Sequence, residues 1–453
     1  MKGAWRLAAR NLRRNRRRNL AVGLAITIGF AGLSLMGGYF ARVDIFLRTC
    51  AVYLQHGGHL RIYHKDGFDR ALAKPARFSL TQAQQDAIRQ AAAEDPRVAL
   101  TAGYLRGMGL AGNGCRSVPF LALGIDPQDE RQLRNHPDVL RYCGDLALPL
   151  RGRPLYQAAD VEGGIGLASG LSALLGKTRV HDDFPRPPPV AALPDCNRPG
   201  MAALFAADAS VQLAGAAFDG SVTALDAEVV QIFHTPSIET EDLELHAGLA
   251  MLQRFYDTDS VSYMALYLRD ERDAPEVGRQ LRARIESRGI PAAVYEFTEE
   301  KVNPYYVGTM TFIRSMAGFI ILIVSAVVVL GVMNTTTITV YERSRELGTL
   351  RALGYRKSQV VGLMLREVFL IGLSGILSGL VLAQAVAWIV QAANLRVKPP
   401  GVPGTMQIVI PPNLVFSFWV GALMLSLSLA VAWLVVGRRL RERTSELLIA
   451  INA

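Results

Sequence analysis

Two glycine-rich strings in this 453-residue chain come closest to the spacing of nucleotide chemistry. Gly107-Met108-Gly109-Leu110-Ala111-Gly112 fits G-x-G-x-x-G, which brings backbone amides to a pyrophosphate where a strand turns into a helix. The residues that follow, Asn113-Gly114-Cys115-Arg116, carry turn chemistry, so the string reads as a hairpin. Gly170-Leu171-Ser172-Ala173-Leu174-Leu175-Gly176-Lys177-Thr178 is close to a phosphate-binding loop. Five residues stand between its glycines where that loop has four, and Leu-Ser-Ala-Leu-Leu reads as helix, not as a cradle of free amides. No G-x-S-x-G, H-E-x-x-H or convincing carboxylate pair is present, so the sequence predicts no catalytic residue and no metal ligands.

The remaining reactive groups are four cysteines, Cys50, Cys115, Cys143 and Cys196. Their spacing matches no zinc site, and one or two disulfides are the alternative. All fall in one long segment between apolar runs; Cys143 and Cys196 are the preferred pair because both border an irregular region, and Cys50 is expected to be unpaired or to pair across a dimer.

Those apolar runs position everything else. Leu20–Phe40, Ser315–Val340, Val368–Leu395 and Asn413–Gly437 contain no Asp, Glu, Lys or Arg and reach the roughly 20 residues a membrane helix needs. The first is read as a retained span in preference to a signal peptide, because its apolar core is long and Met36-Gly37-Gly38-Tyr39 makes a poor cleavage site. The resulting organisation is a basic amphipathic segment 1–19, spans at 20–41, 306–340 (with a stalk), 358–395 and 413–437, an outside domain 42–305, an insert 341–357, a loop 396–412 and a tail 438–453.

Charge orients this plan. Arginine-rich stretches precede the first span, separate the second from the third and follow the fourth, so all three are expected in the cytoplasm. Residues 41–305 carry 28 Lys+Arg against 34 Asp+Glu, a net of −6 that leaves +16 for the rest of a chain with net charge +10. The basic pI thus belongs to the inner membrane surface and not to a nucleic-acid groove. Arg13 to Arg18, beside Trp5, Ala8, Ala9 and Leu12, reads either as an anchor on anionic inner-membrane lipid or as a topogenic cluster.

The outside segment has the periodicities of an α+β domain. Strands are expected at His59–Tyr63, Val98–Leu110, Val118–Gly124, Ala227–His234, Ser260–Leu268 and Ala292–Phe297, and helices at Ser79–Glu94, Glu241–Tyr256 and Ala274–Arg288. Two β-α-β pieces would flank an irregular inserted lobe, Asp126–Leu225, holding the Pro-rich stretch Phe184–Pro189.

The most informative stretch is the charged insert Tyr341–Tyr355, which must return to water between two spans. It is rich in helix formers, stops at Gly354, and spaces Leu347, Leu350 and Leu353 three apart, with Glu342, Arg345, Glu346 and Thr349 on the more polar side. By composition it is either a solvated surface helix or a handle for a partner.

The string Asn334–Gly354, with Val340-Tyr341-Glu342-Arg343-Ser344-Arg345-Glu346-Leu347-Gly348-Thr349-Leu350-Arg351-Ala352-Leu353-Gly354 at its centre, resembles the signature of FtsX/MacB/LolC-type ABC transporter permeases. Arg366-Glu367 at the head of a Gly-spaced span, His56-Gly57-Gly58-His59-Leu60-Arg61-Ile62 and Leu123-Gly124-Ile125-Asp126-Pro127 are similar to that family too. The resemblance implies a four-helix membrane protein with a porter-like α+β periplasmic domain, set in the bacterial inner membrane. It implies a non-catalytic permease working as a dimer, with a second copy or a homologue, on cytoplasmic ABC ATPases that bind the ATP and Mg. The insert would be the coupling helix, with contact residues Glu342, Arg343, Glu346, Leu347, Leu350 and Arg351. ATP hydrolysis would drive the periplasmic domain by mechanotransmission, to export or release lipoprotein, peptide or hydrophobic cargo, with a periplasmic adaptor or outer-membrane component as a further partner. The alternatives are an FtsX-like regulator of a cell-wall hydrolase and a membrane sensor. The tail Ser445–Ala453 departs from the family's usual ending.

Single cysteines engineered onto the surface of residues 41–305 are expected to react with an impermeant maleimide in intact spheroplasts. Reaction only after lysis would reverse the orientation.

Overall fold

The structure is a computed structural model, and it describes residues 16–183, 196, 208–398 and 401–440. The amphipathic segment before residue 16, the Pro-rich stretch and the tail beyond residue 440 lie outside the described residues. The chain forms two compact units: residues 1–44, 309–395 and 408–453, and residues 45–308 with 396–407.

The first unit is built from helices long and apolar enough to cross a membrane, four among the described residues. The first, α1 (Arg16–Thr49), is extended by a π-helical turn, Cys50–Leu54. Small residues set the packing. In the helix Lys357–Ala392, a Cβ at Gly375 would press on Ile26 at 2.8 Å, and one at Gly379 would come within 2.7 Å of the Thr27 carbonyl. Helices in lipid gain from such close backbone approach, since apolar burial gives no preference for protein over acyl chains. Hydroxyl pairs join the same helices: Thr27 with Ser378 at 2.8 Å, and Ser34 with Ser417 of the last helix at 2.7 Å.

The second unit follows in chain order as β1 (Leu60–His64), α2 (Gln82–Ala93), β2 (Val98–Gly112), β3 (Ser117–Ile125), α3 (Pro127–Arg134), α4 (Pro137–Tyr142), β4 (Gly164–Ala168) and α5 (Ser169–Leu175). It continues with β5 (Ser210–Ala216), β6 (Val222–Phe233), β7 (Glu244–Gly248), α6 (Leu249–Phe255), β8 (Tyr263–Leu268), α7 (Ala274–Ser287) and β9 (Ala292–Glu296). The sheet order is β9-β1-β8-β2-β3-β7-β4-β6, ending on Arg151–Gly152, with β5 bonded to β2 and β6. Strand β2 changes partner midway: Val98–Tyr104 pairs with β8, and Leu105–Gly112 with β3.

Each half of β2 belongs to its own core. Leu60, Ile62, Ile88, Met264, Leu266, Leu281 and Ile285 fill one, under α2 and α7. Leu105, Phe120, Ile165, Leu167, Leu171, Val229, Leu245 and Phe255 fill the other. The G-x-G-x-x-G string is the β2–β3 hairpin, as its turn residues indicate. A Cβ at Gly107 would run into the Tyr256 ring, and one at Gly109 would lie 2.6 Å from the Ala214 carbonyl. The look-alike phosphate loop is helix α5, and Lys177 after it is buried, its Nζ donating to the Asp208 carbonyl at 2.9 Å.

Three expectations are corrected. Glu241–Tyr256 is not one helix: Glu244–Gly248 is a strand, parallel to β3 and antiparallel to β4, and only Leu249–Phe255 is helical. Backbone pairing in the sheet centre outweighs the helix formers there. Asp126–Leu225 is more regular than expected, since α3, α4, β4, α5 and β5 fall within it. Cys143 does not pair with Cys196: the disulfide is Cys115–Cys196, with a Cα separation of 5.5 Å. Cys115 sits at the exposed β2–β3 turn, whereas Cys143 is buried with its Sγ 3.2 Å from that of Cys50, out of reach of exposed Cys196.

The His56-Gly57-Gly58-His59 stretch lies under this framework. Gly58 has φ +63, and a Cβ there would meet the Leu266 backbone at 2.9–3.0 Å. His56 and Glu130 meet at 2.7 Å, and Glu130 also bonds Arg134, all three buried. Burial opposes charge on Glu130, but Arg134 and His56 hold its carboxyl well below the usual range. His59 Nδ1 accepts from the Leu268 amide at 3.0 Å, so the ring must be unprotonated there, and burial lowers its pKa to about 4.

A lowered histidine pKa means the unfolded chain takes up protons first, so this contribution is complete above pH 6.5 and is lost as pH falls toward 4. The loss is at most about 3 kcal/mol at ~1.4 kcal/mol per pH unit. His59→Asn keeps an acceptor and removes the titration. Urea unfolding followed by tyrosine fluorescence should show a smaller drop in stability from pH 7 to 4.5 in that variant than in wild type. Equal slopes would remove His59 from the account.

Candidate functional site: the charged hairpin between membrane helices

The hairpin is α8 (Pro304–Glu342), α9 (Ser344–Ala352) and the start of α10 (Lys357–Ala392). With α11 (Leu414–Arg439) it makes a small apolar cluster of Val340, Leu347, Val360, Val361, Met364, Val436 and Leu440, against which Leu350 also packs. At about 1.5 Å per residue α8 is roughly 58 Å long, nearly twice a ~30 Å hydrocarbon core. Its length alone carries polar ends out of the bilayer.

One ion pair fixes the corner. Arg343, the break between α8 and α9, donates from Nη1 to both carboxylate oxygens of Glu367 at 3.1 Å and from Nε to Glu346 at 2.9 Å. Glu367 is 8% exposed and opens the apolar part of α10, where an ionised carboxylate requires such a partner. Ser344 Oγ donates back to the Val340 carbonyl at 2.8 Å, and Arg351 Nη1 to the Leu440 carbonyl at 3.3 Å. Gly354, at φ +91, ends the hairpin before α10.

The six residues read as a contact set divide here. Leu347 is core, 1% exposed; Arg343 and Arg351 are turned to internal partners; Leu350 is half-buried; Glu342 and Glu346 are exposed. The outward face of α9 also presents Arg345, Thr349 and Leu353, the last 72% exposed, with Tyr355 beyond it. Glu367 was missed as part of the site. Its signal was the lone acid at the head of a long uncharged run.

Residues 318–442 match the family model described as FtsX-like permease C-terminal. Among curated relatives, the pyoverdine export ATP-binding/permease protein PvdT of Pseudomonas syringae pv. syringae is 26% identical over 168 residues, 36% of this chain and 26% of PvdT. The lipoprotein-releasing system transmembrane protein LolC of Xylella fastidiosa is 25% identical over 150 residues, 32% of this chain and 35% of LolC. The chain thus spans about a quarter to a third of the length of these relatives. A solved structure, the periplasmic region of MacB from Actinobacillus actinomycetemcomitans, aligns with 52% of this chain and 87% of its own at 10% identity and a TM-score of 0.31.

Arg343→Ala and Glu367→Ala should each lower the thermal stability of the detergent-solubilised chain by about 2–4 kcal/mol, because either leaves a buried charge without its partner. The double variant should cost clearly less than the sum. Strict additivity in that cycle would show that the pair does not hold the corner.

Proposed function

We propose that the chain is the permease subunit of an ABC transporter and that α9 is the surface through which a cytoplasmic ATPase moves it. The supporting observation is a short helix whose base is clamped by Arg343–Glu367 and Leu347 while Glu342, Arg345, Glu346, Thr349 and Leu353 face outward. A lever requires this combination of rigid attachment and accessible face.

Connectivity supports the sidedness. The loop Arg396–Gln407 between α10 and α11 belongs to the same compact unit as the α+β domain: Arg396 and Thr405 bond Asp145 at 3.2 and 2.7 Å, and Ile238 donates to the Gly401 carbonyl at 2.9 Å. One crossing separates that loop from α9, and one separates the domain from α9. The arginine bias of the hairpin favours the cytoplasmic side for it. The ATP and Mg are bound by the partner, two permease copies or homologues act together, and the stroke reaches the periplasmic domain through α1 and α8. The cargo is a lipoprotein, peptide or hydrophobic molecule, in keeping with the names of the relatives.

Glu342→Ala with Glu346→Ala, or Leu353→Asp alone, should weaken binding of the cognate ATPase about tenfold, or ~1.4 kcal/mol, with normal yield and elution of the permease. Leu353 suits this test because its exposure keeps the change out of the core. Wild-type ATPase binding and transport in both variants would make α9 a passive surface helix.

A further inference from the structure

At the hairpin end of the helix bundle, α10 and α11 line a cleft of about 890 Å³. Its charged lining is Arg356 and Lys357 at the start of α10 and Arg438 at the end of α11, and among the described residues it contains no acidic residue. Beyond these cations the wall turns apolar, with Val361 and Leu365 from one helix and Leu434 from the other. Trp433, 57% exposed, flanks it nearly two turns inside the helix end. At Gly437 an added Cβ would touch nothing within 4 Å, so the cleft is open there.

Both helices are long and apolar enough to cross a membrane. Arg356, Lys357 and Arg438 then fall at headgroup depth, Trp433 at the interface, and Val361, Leu365 and Leu434 among acyl chains. A soluble anion would use the three cations and leave the wall unsatisfied; an apolar helix would use the wall and bury the cations. A molecule with an anionic head and an acyl tail satisfies both. We propose that this cleft is a binding site for one anionic phospholipid, its phosphate held by Arg356, Lys357 and Arg438 and one acyl chain lying along Val361, Leu365 and Leu434. The site depends on the helices crossing a bilayer, not on coupling to an ATPase.

Native mass spectrometry of the full chain, released from micelles doped with phosphatidylglycerol or with phosphatidylcholine of identical acyl chains, tests this. Wild type should retain one phosphatidylglycerol at activation energies that strip phosphatidylcholine. Arg356→Gln with Lys357→Gln and Arg438→Gln should cut that retention at least tenfold. Gly437→Leu, which places a branched side chain in the cleft without changing charge and improves helix propensity, should lower it as well. A charge-matched control, Arg131→Gln with Arg269→Gln and Lys398→Gln, should retain lipid as wild type does. Helicity and monodisperse elution report folding for every variant. Equal retention of the two lipids, or wild-type retention by Gly437→Leu, would overturn the site in favour of diffuse surface charge. Thermal protection by inorganic phosphate equal to that by phosphatidylglycerol would make it an aqueous anion site. Lipid binding only after dissociation of a dimer would assign the cleft to a second copy.

Discussion

A carboxylate at the head of the uncharged run of a 36-residue helix is costly to leave alone, and Glu367 is in that position. Arg343 answers it by giving up helical backbone at the point where α8 would otherwise run on, so the break between α8 and α9 and the ion pair are one event. From this corner follow the direction of α9, the burial of Leu347 beneath it, and the residues left facing water. A buried pair of this kind is weak as a source of net stability but strong as a register device, because either charge without the other is penalised heavily.

How much of this was readable from residue types varies with the range of the interaction that decides it. The four spans are legible because a bilayer demands a single property over about 20 residues. The capped helix α2 is legible because Thr81 and Gln84 satisfy each other locally, the Thr81 amide donating to Gln84 at 3.0 Å. Strand β7 was not, since Glu244-Leu245-His246-Ala247-Gly248 becomes a strand only where β3 and β4 supply partners on both edges. The cysteine pairing was equally out of reach: the Cys115–Cys196 bond closes a separation of 81 residues.

The hairpin shows a subtler limit. Leu347, Leu350 and Leu353 look like one stripe in sequence, yet they are buried, half-buried and 72% exposed. Three residues turn a helix by about 300°, so each step slips about 60° around the axis and two steps carry the row from core to water. Spacing by three without an intervening four therefore wraps around the helix. Sequence reading located the charged insert, but geometry decides which of its side chains face outward.

The shared strand β2 has a consequence for anyone who would cut this domain apart. One half of its 15 residues closes the core under α2 and α7, and the other closes the core around Phe120 and Phe255. Neither core can be excised with a complete sheet, because each excision severs the same backbone ladder. The two lobes are therefore heritable only together: a recombination breakpoint within residues 98–112 yields two broken halves, whereas exchange of the whole segment between the membrane helices preserves every strand partner that β2 requires.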